Sequence, residues 1–260
     1  MNVRACQIRA LAGLAVLELF RRKDLIVVFV LSAVILLPLT VLTPFGVAGA
    51  SRYVNELALL LVWLFSLVIG LGVSARLFPP EFESRTIYPM LAKPVARGTI
   101  VVGKYLGALA ASVSALVVFY LAYALLEGVR QGLWFPPVLL QAFVLHVGFM
   151  AVVTALGLAG SLLLTPSANL TMCGLTVVGM LFFGQRLPAL AAAQTLPGKA
   201  VLTLIHWFGP HVEFFDLRQR VVHEWPAIGW GVCAVALVYA AGYAALCLAV
   251  ASVAFRKKRF

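Results

Sequence analysis

Residues 131–185 contain no Asp, Glu, Lys or Arg. As one straight helix this stretch would be about 80 Å long at 1.5 Å per residue. The hydrocarbon core of a bilayer is only about 30 Å thick, and about 20 helical residues cross it. The stretch must therefore double back. The corner falls at residues 165–169, Thr-Pro-Ser-Ala-Asn, because proline and short polar side chains favour turns. Each half is then long enough to cross a membrane, near 137–164 and 169–187.

Other uncharged runs repeat the pattern and place spans near 25–43, 57–77, 105–126 and 227–254. Only 11% of the chain is charged and 63% is hydrophobic, whereas soluble domains are about 25% charged. Runs such as LIVVFVLSAVILL do not alternate apolar and polar residues. Alternation would mark the strands of a membrane barrel, so helices are the expected spanning elements. The expected fold class is all-α: one polytopic transmembrane domain over 1–260 with six transmembrane helices. The stretch ALAGLAVLELF resembles a signal sequence. However, Glu18 and the triplet Arg21, Arg22, Lys23 follow, without a small-residue cleavage site. The reading for 1–23 is an N-terminal interfacial helix.

Lys and Arg set the orientation. Of the 20 such residues, most cluster in 1–23, in 76–104 and in 256–259. Both termini and the 79–104 loop are therefore expected to be cytoplasmic, and 188–226 is expected to form an external loop. The net charge of +11 fits helix ends beside anionic membrane lipids better than nucleic acid, which is not an expected partner. Cys6, Cys173, Cys233 and Cys247 are scattered and form neither a disulfide framework nor a metal motif.

The segment GTIVVGKY, residues 98–105, nearly spells a phosphate-binding loop. Such a loop needs a preceding strand and a hydroxyl after the lysine for magnesium. Here the hydroxyl position is Tyr105, and an apolar span follows. The match is therefore incidental. Thr99 is expected to cap a helix, and Lys104 to snorkel at the interface. Gly103 and Gly107 are expected to form a helix-packing face.

The 79–104 loop is the most informative segment. It combines acids (Glu81, Glu83), bases (Arg85, Lys93, Arg97) and an apolar group (Ile87, Tyr88, Met90, Leu91). A short helix over 84–92, limited by Pro89, would present an apolar face with charged flanks, suited to docking in a groove of a soluble partner.

This loop resembles that of the ABC-2-type permease family, the membrane subunits of one class of ATP-binding-cassette transporter. The residues in register are Glu81, Glu83, Thr86, Met90, Leu91, Lys93, Pro94, Arg97, Gly103 and Lys104. The N-terminal LELFRRKDL and the segment PHVEFFDLRQRVVH are similar to further family segments. Ser84 and Arg85 depart from the pattern, since many members have glycine or another small residue there. The resemblance implies a permease subunit that forms the translocation pathway as a dimer with a second permease copy, homodimeric or paralogous. A separate ABC ATPase would dock on 79–97 through Glu81, Glu83, Arg85, Thr86, Ile87, Met90, Leu91, Pro94 and Arg97. ATP and Mg would be bound by that ATPase, with no cofactor and no catalytic residue on this chain. The resemblance leans towards export and implies a multi-pass protein of the plasma membrane, the bacterial inner membrane in particular. The alternative is a secondary transporter, which would usually carry charged or broken helices at the midplane.

Elsewhere, His146 lies deep in an uncharged run. The preferred reading is a neutral histidine bonded to a neighbouring helix rather than a functional ionisable group. His206 and His211 straddle a Gly-Pro break and are not expected to share a face or bind metal. Gly70, Gly72, Gly157 and Gly160 are read as close-contact positions between helices. Trp207, Phe208, Phe214 and Phe215 are read as interface anchors of the external loop.

Overall fold

A computed structural model of the chain describes residues 3–21, 50–85, 95–132 and 134–258. The span expected near 25–43 lies outside the described residues. Every regular element among the described residues is a helix. Among the described residues, five helices are long and apolar enough to cross a membrane.

Helix α1 is Val3–Arg21 and α2 is Ala50–Ala75. The short α3 is Pro79–Glu83, and α4 runs over Arg97–Gln131. Helices α5 (Pro137–Leu163) and α6 (Pro166–Phe183) form the two halves of the long uncharged stretch. Three short helices follow: α7 (Leu187–Ala192), α8 (Leu196–Phe208) and α9 (Arg218–Val222). The last is α10, Trp230–Lys257. Successive long helices reverse direction, so α2, α5 and α10 end where α4 and α6 begin. We call that side the loop end and the other the far end.

Helix α5 is the axis of the bundle. Its apolar residues are not confined to one stripe, and it packs against α2, α4, α6 and α10. A helix apolar on all sides is one that neighbours surround. Its most extensive partner is α10, whose buried residues are Cys233, Ala236, Ala240, Ala244, Cys247, Ala251 and Phe255. They recur every three or four positions, so they form one face. Six are small, which lets the two backbones approach closely.

Glycines set other contacts. A Cβ at Gly70 would crowd Met150 and Val153, and one at Gly157 would overlap Ser74. Gly70 and Gly157 therefore mark the α2–α5 seam, as expected, whereas Gly72 has open space. The corner between α5 and α6 falls where the proline predicts. It is locked by Asn169, fully buried, whose Nδ2 donates to the Gly157 carbonyl at 2.8 Å. Cys173 Sγ donates to Asn169 Oδ1 at 3.1 Å. Gly160 leaves room for that amide.

Some expectations are corrected. Helix α4 starts at Arg97 with Ala96 at its N-cap and no side-chain cap, so Thr99 lies inside the first turn and caps nothing. At its far end the helix stops on Gly132 at φ 74°, a left-handed position that glycine fills without steric cost. Phe215 is no surface anchor; it is fully buried and packs beside Gly148. Trp207, Phe208 and Phe214 are exposed, as interface anchors would be. Helix α1 is present, but it packs along α4. Leu11 sits so close to Gly103 that a Cβ there would collide. Gly107, one turn along, is also buried.

Candidate functional site

At the loop end the chain builds a platform from both flanks of the 79–97 loop. Helix α3 opens on Pro79 and Pro80, which suit a first turn because its N–H groups lack partners in any case. It ends at Ser84, whose hydroxyl and backbone N–H both bond to the Pro80 carbonyl at 2.6 and 2.9 Å. Arg85 follows at φ 56°, a left-handed conformation that costs a side-chain-bearing residue roughly 1–2 kcal/mol. The helix expected to start at 84 is therefore ruled out for Ser84 and Arg85. Thr86, Ile87, Met90, Leu91, Lys93 and Pro94 lie outside the described residues.

Lys104 does not snorkel. It is 4% exposed, and its ammonium donates to the Leu77 carbonyl at 3.0 Å. It also pairs with Glu81 Oε1 and sits 4.8 Å from the centre of the Phe78 ring. The lysine of the near-match phosphate loop is thus committed to protein groups, tying α3 to the base of α4. On the other flank, Arg97 Nη1 donates to the carbonyls of Phe255 and Arg256 at 3.1 and 3.0 Å. A cation at these orphan carbonyls also meets the negative end of the α10 dipole. Between the flanks Phe78, Phe82 and Phe255 pack together, with Phe78–Phe82 centroids 5.8 Å apart and Phe78–Phe255 5.3 Å. The Lys258 ammonium lies 4.3 Å above Phe82. Glu83 and Arg85 are exposed.

The platform therefore splits the described loop residues into two groups. Glu81 and Arg97 face inward and brace α4 and α10, while Glu83 and Arg85 face outward. The aromatic trio was missed in the sequence because Phe255 is remote from Phe78 and nothing local marks their meeting.

A family model described as an ABC-2 family transporter protein matches residues 44–259. The chain belongs to the ABC-2 transporter family. No curated protein matches it closely enough to be compared. The match spans the platform and all the long helices from α2 onward, so this ABC-2 protein is the multi-pass membrane component of a transporter. The family implies association with an ABC ATPase.

Two further polar clusters lie away from the platform, one inside the ABC-2 bundle and one at its far end. His146 on α5 is fully buried. Its Nε2 lies 2.7 Å from Ser66 Oγ on α2 and its Nδ1 3.2 Å from the Tyr120 hydroxyl on α4. Ser66 donates its own proton to the Trp63 carbonyl at 2.9 Å. One arrangement satisfies every group: Nε2–H donates to Ser66, and Tyr120 donates to Nδ1. The ring also stacks on Trp63 at 4.5 Å, and Arg218, paired with Asp216, lies 5.2 Å over that indole. His146 is thus a neutral pin joining three helices, as the sequence reading preferred.

In the second cluster the two histidines share no helix face, since α8 ends at Phe208 before His211. His206 and His211 meet with ring centroids 4.8 Å apart despite the Gly-Pro break. His211 Nδ1 bonds to Glu213 Oε1 at 2.9 Å. Even so, no group of His, Cys, Asp and Glu among the described residues has a metal-binding arrangement. Gln141 was also missed. It donates to the Ile228 carbonyl at 2.7 Å and accepts from the Ile228 N–H at 3.0 Å, tying the lead-in of α10 to α5.

Proposed function

We propose that this ABC-2 protein is the pathway-forming permease of an exporter driven by a separate ABC ATPase docked on the 79–97 loop. Two copies, or one copy and a paralogue, form the pathway. The observation that carries this reading is the bracing of both loop flanks. Lys104 and Glu81 fix one flank to α4, and Arg97 fixes the other to the α10 carbonyls. A push on the loop then reaches two membrane helices instead of dissipating in a slack linker. ATP must favour one of two pathway states through differential contacts, because a ligand shifts an equilibrium only by such a difference.

Charge supports the orientation. Arg76, Arg85, Arg97, Lys104, Arg256, Lys257 and Lys258 gather at the loop end, and an excess of Lys and Arg marks the cytoplasmic side. The far end, with α7 to α9, then faces outward across the bacterial inner membrane. Glu83, exposed beside the braced Glu81, is the residue offered to the ATPase, together with Arg85 and the apolar residues Ile87, Met90 and Leu91.

Affinity purification of the permease from its native membrane tests this. An ABC ATPase should accompany the wild-type chain. The Glu83→Lys variant should lose most of that ATPase while its elution profile and unfolding temperature stay unchanged. Equal ATPase recovery from both would remove the docking assignment.

A further inference from the structure

A cavity of about 200 Å³ opens among α2, α4, α5 and α9 at the far end. Its polar lining comprises Asn55, Tyr123, Glu127, Arg220, Glu224 and Trp225. Asn55 is 5% exposed and Glu127 8%. Asn55 Oδ1 is buried with no hydrogen-bond partner. A buried acceptor left unpaired is costly, so such an atom facing a cavity calls for a donor inside it. Glu127 and Glu224 add two carboxylates, and Arg220 supplies one guanidinium. Arg220 is engaged elsewhere: its Nη1 donates to the Pro226 carbonyl at 3.2 Å, and it lies 5.8 Å over the Trp225 ring. The lining is thus rich in acceptors. Tyr123 and Trp225 are aromatic walls of the kind that attract organic cations.

Size narrows the occupant. Pockets for drug-sized ligands are about 300–1,000 Å³, and a water claims about 30 Å³, so this cavity suits a small headgroup. The unpaired amide oxygen can accept a hydrogen bond from a cation that carries N–H donors. Glu224 is held at φ 52°, a strained position for a side-chain-bearing residue.

We propose that this cavity is a binding site for a primary ammonium group, with Asn55 and Glu127 accepting its N–H bonds, Glu224 closing the mouth and Trp225 and Tyr123 flanking it. The site does not depend on the ATPase reading. The ammonium has two natural sources, a free amine or the ethanolamine headgroup of a lipid.

The test has two arms, both on the full chain. In the first, ethanolamine is titrated calorimetrically into protein held in nanodiscs of phosphatidylglycerol alone. In the second, native mass spectrometry counts phosphatidylethanolamine against phosphatidylglycerol retained from mixed vesicles. Saturable ethanolamine binding identifies the free amine, and selective retention of phosphatidylethanolamine identifies the lipid. In either arm Glu127→Gln and Asn55→Leu should each weaken binding about tenfold, the worth of a charge-assisted hydrogen bond. Glu224→Gln, at an exposed position, should weaken it less and serves if a buried variant misfolds. Failure of both arms overturns the site, as does binding that all three variants leave intact or acetate competing for the cavity.

Discussion

Replacing Lys104 with methionine would leave Glu81 against the Leu77 carbonyl without its counter-charge. Removing one partner of a buried ion pair costs about 3–5 kcal/mol. Glu81 keeps 17% of its side chain exposed, so the lower end applies. We expect Lys104→Met to cost about 3 kcal/mol in detergent unfolding, and Glu81→Gln in that background to cost little more. Full additivity of the two changes would mean that the pair is not coupled. Arg85 calls for the opposite substitution. Its φ of 56° is the conformation glycine adopts freely, so Arg85→Gly should stabilise the chain by about 1 kcal/mol. A lower unfolding temperature in that variant would show that the arginine side chain contributes more than its backbone costs. The resemblance had flagged the Ser84-Arg85 pair as a departure from glycine or small residues, and the backbone supplies the physical reason at Arg85. His146 makes a third case. A pin enclosed by Ser66, Tyr120 and Trp63 has no route to solvent, so His146→Gln should lower the unfolding temperature while leaving the pH profile of transport unchanged.

Among the elements, α10 depends on its neighbours at both ends. Gln141 fixes its lead-in at Ile228, and Arg97 satisfies its terminal carbonyls. Arg97→Ala should cost about 1–2 kcal/mol and speed hydrogen exchange in the last turn of α10 relative to its middle. Equal exchange in both would show that the cap is dispensable. These elements also show what could be read in advance. The long helices were legible because an uncharged run of membrane length has few other fates, and the 165–169 corner because proline cannot continue a helix. What escaped was contact between distant segments. Glu127 was assigned outside a span because the charged residue itself was taken as the boundary. In fact α4 runs on to Gln131 and carries the carboxylate into a cavity. The meeting of His206 with His211 escaped because the Gly-Pro break was read as parting them, although the chain after it turns back. Lys104 was read as snorkelling because its partner, Glu81, lies on another element. Burial of such a lysine depends on that tertiary partner, which no local pattern announces.

At the scale of the whole molecule, the bundle has a braced basic end and an aromatic-rich far end, with α5 running between them. The ABC-2 family match fixes the class of machine, and the proposed function has force enter it at the platform. A photo-crosslinking residue in place of exposed Glu83, activated in native membranes, probes that point of contact directly. The account predicts a crosslink to a soluble ABC ATPase on the cytoplasmic side, with none from an equivalent probe at exposed Glu224 on the far end. A crosslink from Glu224 alone, or labelling of Glu83 from outside the cell, would contradict it.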